Sequence, residues 1–246
     1  MVTVVDAAGF LAELVRGDTL PQRRLEAADG DERSISDLLV DQVEFADVLV
    51  LNKTDLVTAT GLGTVDAVLH RLNPTARLVR AHRGVVDLAE VLDTGRYDPV
   101  TAAQAPGWAA ELAGSHTPET EEYGISSAVY RAARPFHPAR LLAALETWDG
   151  VLRSKGFCRL ATRPDVLAVW SQAGPNLTLE PGELVAETAA IGQELVVIGV
   201  GVSAEDVHRR LDPALLTDTE LATGPDSWRA LPDPLPVWDT EPAHTH

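Results

Sequence analysis

The sequence predicts an α/β unit built on a parallel sheet, followed by a smaller α+β unit. Three observations carry that prediction. From residue 1 to about residue 92, short apolar runs alternate with helix-periodic stretches, the pattern of strands joined by crossover helices. From Tyr97 to Glu122 the pattern dissolves into Ala, Gly, Pro, Thr and Glu, which reads as a linker. Beyond it, strand-like runs follow one another directly, as in an antiparallel sheet. The expected organisation is 1–97, a linker at 98–122, a second domain at 123–240 and a tail at 241–246.

The elements follow in order. Met1-Val2-Thr3-Val4-Val5 is apolar on both faces, as a buried parallel strand is. Asp6 is placed to cap a helix with Phe10, Leu11, Leu14 and Val15 on one side. After a polar stretch to Arg33, Ile35, Leu38, Leu39 and Val43 recur at helical spacing. Val48-Leu49-Val50-Leu51 is a second buried strand. Val65, Val68, Leu69 and Leu72 mark a third helix, stopped by Asn73-Pro74. Ala76 to Arg80 reads as a strand leading to Ala81-His82-Arg83-Gly84, and Val85 to Leu92 reads as helical. Three strands with their helices make about half of a nucleotide-binding sheet. Because the chain starts inside such a strand, the first half of that unit is expected to be missing.

In the second unit, Gly124 to Arg131 reads as a strand. Pro135-Phe136-His137-Pro138 turns into a helix carrying Leu141, Leu142, Leu145 and Trp148. Phe157 to Thr162, Val166 to Gln172 and Leu195 to Val200 read as strands, with helices on one face of the sheet. Ser203-Ala204-Glu205-Asp206 caps a helix reaching about Leu211, and the Pro-rich tail after Pro232 is expected to be loose.

Composition excludes several function classes. Twenty basic residues against 37 acidic ones give a net charge of −17, which argues against a nucleic-acid groove or an anionic membrane face. No apolar run reaches membrane-spanning length and no export signal opens the chain, so the expected compartment is the cytoplasm. A single cysteine, Cys158, excludes an internal disulfide and any multi-thiolate metal site within these residues. It takes a strand position and reads as a small buried apolar residue. No closed metal site arises from the histidines, His70, His82, His116, His137, His208, His244 and His246. Trp148, Phe157 and Trp170 read as core. Only two basic residues are lysines, Lys53 and Lys155, which makes each a candidate for a position where arginine does not fit, the alternative being chance retention.

Lys53 stands in the motif that carries chemistry. Asn52-Lys53-Thr54-Asp55 follows an apolar strand, at the edge where α/β sheets bind ligands. An Asp carboxylate there accepts from the ring N–H and exocyclic amine of guanine, a donor pair adenine lacks. Asn52 supports the loop, and the Lys53 stem lies along the purine face. The cofactor-binding residues are therefore Asn52, Lys53 and Asp55. Thr54 has no evident base contact, and the Ala81–Gly84 loop reaches the base through its backbone. The alternative for these four residues is a solvated turn. Neither lysine follows a glycine-rich phosphate loop, so the phosphate half of a nucleotide site is absent and no catalytic residue is assigned.

At this point the sequence resembles the CobW-type GTPases. The resemblance rests on Val2 to Ala7, on Asp41 to Asp47 followed by Asn52-Lys53-Thr54-Asp55, on Tyr130-Arg131, and on Arg134-Pro135-Phe136-His137-Pro138. Leu152 to Phe157, Trp170 to Gly174 and Asp212 to Asp218 extend it over nearly the whole chain. It implies a partial parallel-sheet P-loop GTPase half-domain, then a smaller α+β CobW C-terminal domain. It also implies GTP hydrolysis coupled to delivery of a metal, with zinc the usual inference, to a metalloprotein client. Magnesium and zinc are implied by the family, but the family's Cys-x-Cys-Cys motif has no counterpart here, so no metal residue is assigned. The expected chain is the C-terminal portion of a GTP-dependent metal chaperone, inactive alone, with a separate chain as one source of the phosphate loop. The alternative is a non-catalytic interaction module whose C-terminal domain docks a client. Lys155 and Arg153 read either as an anion-facing patch or as a charged turn.

Overall fold

The computed structural model describes residues 1–25, 33–97, 123–146, 148–184 and 192–238. Strands β1 (Val2–Asp6), β2 (Val48–Asn52) and β3 (Arg77–Arg80) form a parallel sheet in that order. Strands β4 (Ile125–Ala132), β5 (Val151–Arg159), β6 (Val166–Ala173), β7 (Asn176–Leu184) and β8 (Gln193–Val200) form an antiparallel sheet in the order β4-β8-β5-β6-β7. The α/β unit followed by an α+β unit is thus as expected. The 98–122 linker and the 241–246 tail lie outside the described residues.

The first sheet is served by helices α1 (Phe10–Leu14), α2 (Leu20–Arg23), α3 (Ile35–Glu44) and α4 (Ala59–Leu72). β2 is central, and Val48 to Leu51 are all buried. β1 is an edge strand covered on one face, so Thr3 and Val5 are buried while Val2 and Val4 are exposed, contrary to the two-faced burial expected. Asp6 does not cap α1. Gly9 takes that position, and the Asp6 carboxylate instead accepts from the Ala8 N–H at 3.0 Å. Val15, expected on the inner side, is exposed. The polar stretch after Arg16 hides α2, which starts at a Thr19–Gln22 capping box and buries Leu20. The helix expected over Val85 to Leu92 is only a 3₁₀ turn at Leu88–Glu90. Val85, Leu88 and Leu92 are exposed and only Val91 packs against the core, too little apolar burial to stabilise a longer helix.

In the second unit, helices α5 (Pro138–Leu145) and α6 (Ala204–Leu211) lie where expected, although Trp148 falls beyond the end of α5. β5 spans Val151–Arg159 rather than Phe157 to Thr162. Its polar residues look like turn chemistry in the sequence, but Ser154 is satisfied inside the sheet. The Ser154 hydroxyl donates to Gln172 Oε1 and accepts from Trp170 Nε1, both at 2.7 Å. Three elements escaped the sequence reading: β7, helix α7 (Asp218–Ala222) and helix α8 (Pro225–Trp228). Pro181 disguises β7, but an edge strand tolerates a proline. The tail is not loose over its described part to residue 238. Leu235 is buried in the core, Arg163 Nε donates to Asp233 at 3.0 Å and Trp238 Nε1 to the Leu179 carbonyl at 2.8 Å.

The antiparallel sheet packs an apolar cluster on each of its faces, which fixes how the units meet. Leu195 and Val197 of β8 join Ala128, Tyr130, Leu141, Trp170, Val207 and Leu211 in one core with α5 and α6. The alternate residues Val196 and Ile198 join Ile125, Leu152 and Ala173 in another, shared with Phe10, Leu14, Val40, Val43, Val65 and Leu69 of the first unit. Through that seam runs an ion pair, with Arg153 Nε and Nη2 meeting Glu44 Oε1 and Oε2 at 2.8 and 3.1 Å. Both side chains are only 2% exposed. Arg153 and Lys155 are therefore neither a surface patch nor a turn. Their anion is the protein's own Glu44, 3.8 Å from Lys155 Nζ. Burial pushes the Lys155 ammonium down and the neighbouring Asp41 carboxyl up.

Asn73 does more than stop α4. Its buried amide nitrogen donates to the carbonyls of Val43, Glu44 and Ala46 at 2.9, 3.1 and 2.9 Å, closing the end of α3. Its Oδ1 accepts from the Thr75 and Ala76 N–H groups. Asn73→Ala takes this donor from the Glu44 and Ala46 carbonyls, while Val43 keeps the Ala46 N–H, and is expected to destabilise the protein by about 3 kcal/mol. Urea denaturation checks this, and a loss under about 0.5 kcal/mol, the range of a neutral surface change, contradicts it.

Candidate functional site

The parallel register sets the site. Asp6 pairs with Asn52 and Leu51 with Arg80, so the loops after β1, β2 and β3 emerge together at the carboxyl edge of the sheet. The loop after β2 leaves through Lys53, whose backbone is left-handed at φ 60°, into a 3₁₀ turn at Thr54–Leu56. The loop after β3 turns through Arg83 and Gly84, both at positive φ, 52° and 74°, with the Val85 N–H donating to the His82 carbonyl at 3.0 Å. Two successive left-handed residues under such a bond make a tight type I′ turn.

Hydrogen bonds lock the two loops together. The Ala81 N–H donates to the Leu51 carbonyl at 2.8 Å and the Thr54 hydroxyl to the Ala81 carbonyl at 3.0 Å. Asn52 Oδ1 accepts from the Gly84 N–H at 2.9 Å. Asn52 supports the loop as its residue type suggested, and Thr54 acquires the role the sequence left blank.

Lys53 Nζ reaches Asp6 Oδ2 at 2.6 Å, so its ammonium is tied to the end of β1 and its stem runs across the carboxyl edge. Burial alone would raise the Asp6 carboxyl. The Lys53 hydrogen bond and charge, with the Ala8 and Gly9 N–H groups, hold it below the ordinary carboxylate range. Asp55 turns to the same edge, and its Oδ2 lies 3.1 Å from His82 Nε2. Among the described residues no partner meets its Oδ1. The structure therefore brings Asn52, Lys53 and Asp55 to one edge and adds Asp6, Thr54 and His82 to them. Asp6 was hidden by its resemblance to a helix cap. The signal for His82 was its position, two residues past the end of the neighbouring parallel strand.

The remaining candidates lie elsewhere. His137 is the N-cap residue of α5, with its N–H on the Ala214 carbonyl at 2.8 Å, a structural turn position. Cys158 is fully buried, and desolvation pushes its thiol up to about 12, so it is an inert core residue. Trp170 is core, while Trp148 and Phe157 are half-buried. His116, His244 and His246 lie outside the described residues. Among the described residues no group of three or more His, Cys, Asp or Glu is placed to hold a metal ion. No helix among the described residues is long and apolar enough to cross a membrane.

Comparison with known proteins agrees with this layout. Residues 1–80 match the model of the CobW/HypB/UreG nucleotide-binding domain, and residues 125–215 match that of the cobalamin synthesis protein cobW C-terminal domain. A zinc-regulated GTPase metalloprotein activator 1 of Dictyostelium discoideum is 40% identical over 263 residues, covering 96% of this chain and 55% of that protein. A zinc chaperone of Mycobacterium tuberculosis is 30% identical over 271 residues, covering 99% of this chain and 63% of that one. The chain thus spans between half and two thirds of the length of these relatives. The crystal structure of Zn(II)-bound YjiA GTPase from E. coli overlays with a TM-score of 0.36 at 16% identity, over 87% of this chain and 60% of that one, too loosely to bear on the site.

The Lys53–Asp6 pair gives a pH test. A carboxylate held below its unfolded value stabilises the fold above that value, and the gain is lost as the pH falls through the folded one. Lys53→Met is expected to move the Asp6 titration upward and to lower stability at neutral pH more than at pH 3. Carboxyl NMR titration with pH-dependent unfolding checks this. An unmoved Asp6 contradicts the pairing.

Proposed function

Carrying both family domains in order, this chain belongs to the CobW family, and from that premise we propose that it supplies the guanine-reading part of a GTP-dependent zinc-delivery protein. The observation that supports this most is the place of Asp55 in the 3₁₀ turn at the carboxyl edge of β2, in a loop held by Asn52, Thr54 and Lys53. A carboxylate accepts only, so it attracts the guanine N1–H and repels the adenine N1 lone pair. The Lys53 stem, fixed at its far end by Asp6, forms the wall on which a purine lies. The metal and the client enter this reading through the names of the relatives alone, and no step is assigned to a metal.

No Gly-x-x-x-x-Gly-Lys-Ser/Thr stretch occurs in the 246 residues, so this chain alone is expected to hydrolyse no GTP above buffer. Base binding is the direct test. Guanosine is expected to bind more tightly than adenosine, and Asp55→Asn to weaken guanosine about tenfold or more, the scale of one lost hydrogen bond to a charged group. NMR titration of the Asp55 and Gly84 amides reads both. Equal affinity for the two nucleosides, or an unaffected Asp55→Asn variant, contradicts the proposal.

A further inference from the structure

We propose that the groove between the 160–165 turn and β7 docks an extended, proline-rich segment of a partner protein with the pattern Asp-x-Leu-x-x-Trp, and that the chain's own residues 233–238 close it as an intramolecular strap. The groove belongs to the second unit and is independent of the base-reading function. The strap defines the chemistry the groove accepts. The Asp233 carboxylate takes hydrogen bonds on Oδ2 from the Thr162 hydroxyl at 2.5 Å and from Arg163 Nε at 3.0 Å. Leu235 enters the core of the second unit, and its carbonyl accepts from Arg163 Nη2 at 3.3 Å. The Arg163 guanidinium carbon sits 4.2 Å from the centre of the Trp238 ring, and the indole Nε1 donates to the Leu179 carbonyl at 2.8 Å. Arg163 thus meets the Asp, the Leu and the Trp of the pattern, while Val237 is 89% exposed and free to vary.

The strap is held as a ligand is held, and not as a strand. Among the described residues no backbone–backbone hydrogen bond ties residues 232–238 to the rest of the chain. Pro232, Pro234 and Pro236 have no N–H to give. They fix φ near about −65° and push Leu231, Asp233 and Leu235 toward extended backbone. Asp233 Oδ1 braces the turn by accepting from the Leu235 N–H at 3.1 Å. A segment stiffened in this way loses little conformational entropy on docking, the property that makes proline-rich peptides good groove ligands. Few fastenings and an edge-strand site place the strap at the weakly held end of the fold.

The fit of the strap is incomplete, and this favours a different chain over a second copy. Arg163 Nη1 is buried with no hydrogen-bond acceptor among the described residues. A buried donor left unpaired costs stability, so a segment that brings an acceptor to Nη1 gains over the strap. A second copy offers only the same incomplete fit, against a tethered strap at high effective concentration.

The test uses a fluorescein-labelled peptide of residues 232–238, Pro-Asp-Pro-Leu-Pro-Val-Trp, with binding to the full chain read by fluorescence anisotropy. Trp238→Ala loosens the strap and raises the open fraction of the groove, so this chain is expected to bind the peptide about tenfold or more tightly than the native chain. Leu235→Ala loosens the strap through a different anchor and repeats the measurement should Trp238→Ala fail to fold. Peptides carrying Asp233→Ala or Trp238→Ala are expected to bind the loosened chain about tenfold more weakly than the native peptide, and a scrambled peptide not to bind. In a peptide library varied at positions 234, 236 and 237, sequences with an acceptor side chain are expected to exceed the native segment by about threefold or more. Light scattering is expected to find the native chain monomeric. Failure of the peptide to bind either loosened chain, equal binding of the scrambled peptide, or a library in which nothing exceeds the native segment overturns the proposal. A native dimer that excess peptide splits makes a second copy the occupant and overturns it as well.

Discussion

The second sheet buries apolar side chains on both of its faces, and the first unit covers part of one of them. Val196 and Ile198 of β8, with Leu152 and Ala173, complete a core that begins at Val5, Phe10 and Val40. The bidentate pair of Glu44 and Arg153 lies in that seam. A buried ion pair is a poor source of net stability, because desolvation offsets most of the attraction. Its strength is intolerance of error, since separating the partners leaves an uncompensated charge in an apolar core. The pair therefore fixes the relative placement of the two sheets more than it strengthens them.

From that seam the constraint runs to the site along covalent structure. Glu44 is the last residue of α3, and Asn73 closes the carbonyls of Val43, Glu44 and Ala46. Four residues after Glu44 the chain enters β2, whose carboxyl end carries Asn52, Lys53 and Asp55. The loop is held on one side by residues 81–84 and on the other by β2, which follows α3 and the Glu44–Arg153 pair. The carboxylate proposed to read the base is in this way given a rigid foundation.

How much of this the sequence announces depends on the kind of interaction. Periodicity exposed the elements that bury apolar faces locally: β2, α3, α4, β8 and α6 all lie where Val, Leu and Ile spacing put them. It failed where burial comes from a distant partner. Leu152-Arg153-Ser154-Lys155 looks like a turn until Glu44, Trp170 and Gln172 are brought to it. It failed in the other direction over Val85 to Leu92, where Val85, Leu88 and Leu92 stay exposed and only Val91 packs against the core. The place of Asn52-Lys53-Thr54-Asp55 at the end of β2 was legible because strand and loop are adjacent in the chain. The approach of His82 to Asp55 was not, because it depends on the register between β2 and β3.

The account depends on the two sheets being one body. Differential scanning calorimetry of the intact chain, alone and with Arg153→Ala, tests that directly. One cooperative transition is predicted, with calorimetric and van't Hoff enthalpies equal, and Arg153→Ala should lower it as a whole. Two transitions, or an Arg153→Ala variant that melts the antiparallel sheet early and leaves the parallel one unmoved, would contradict it.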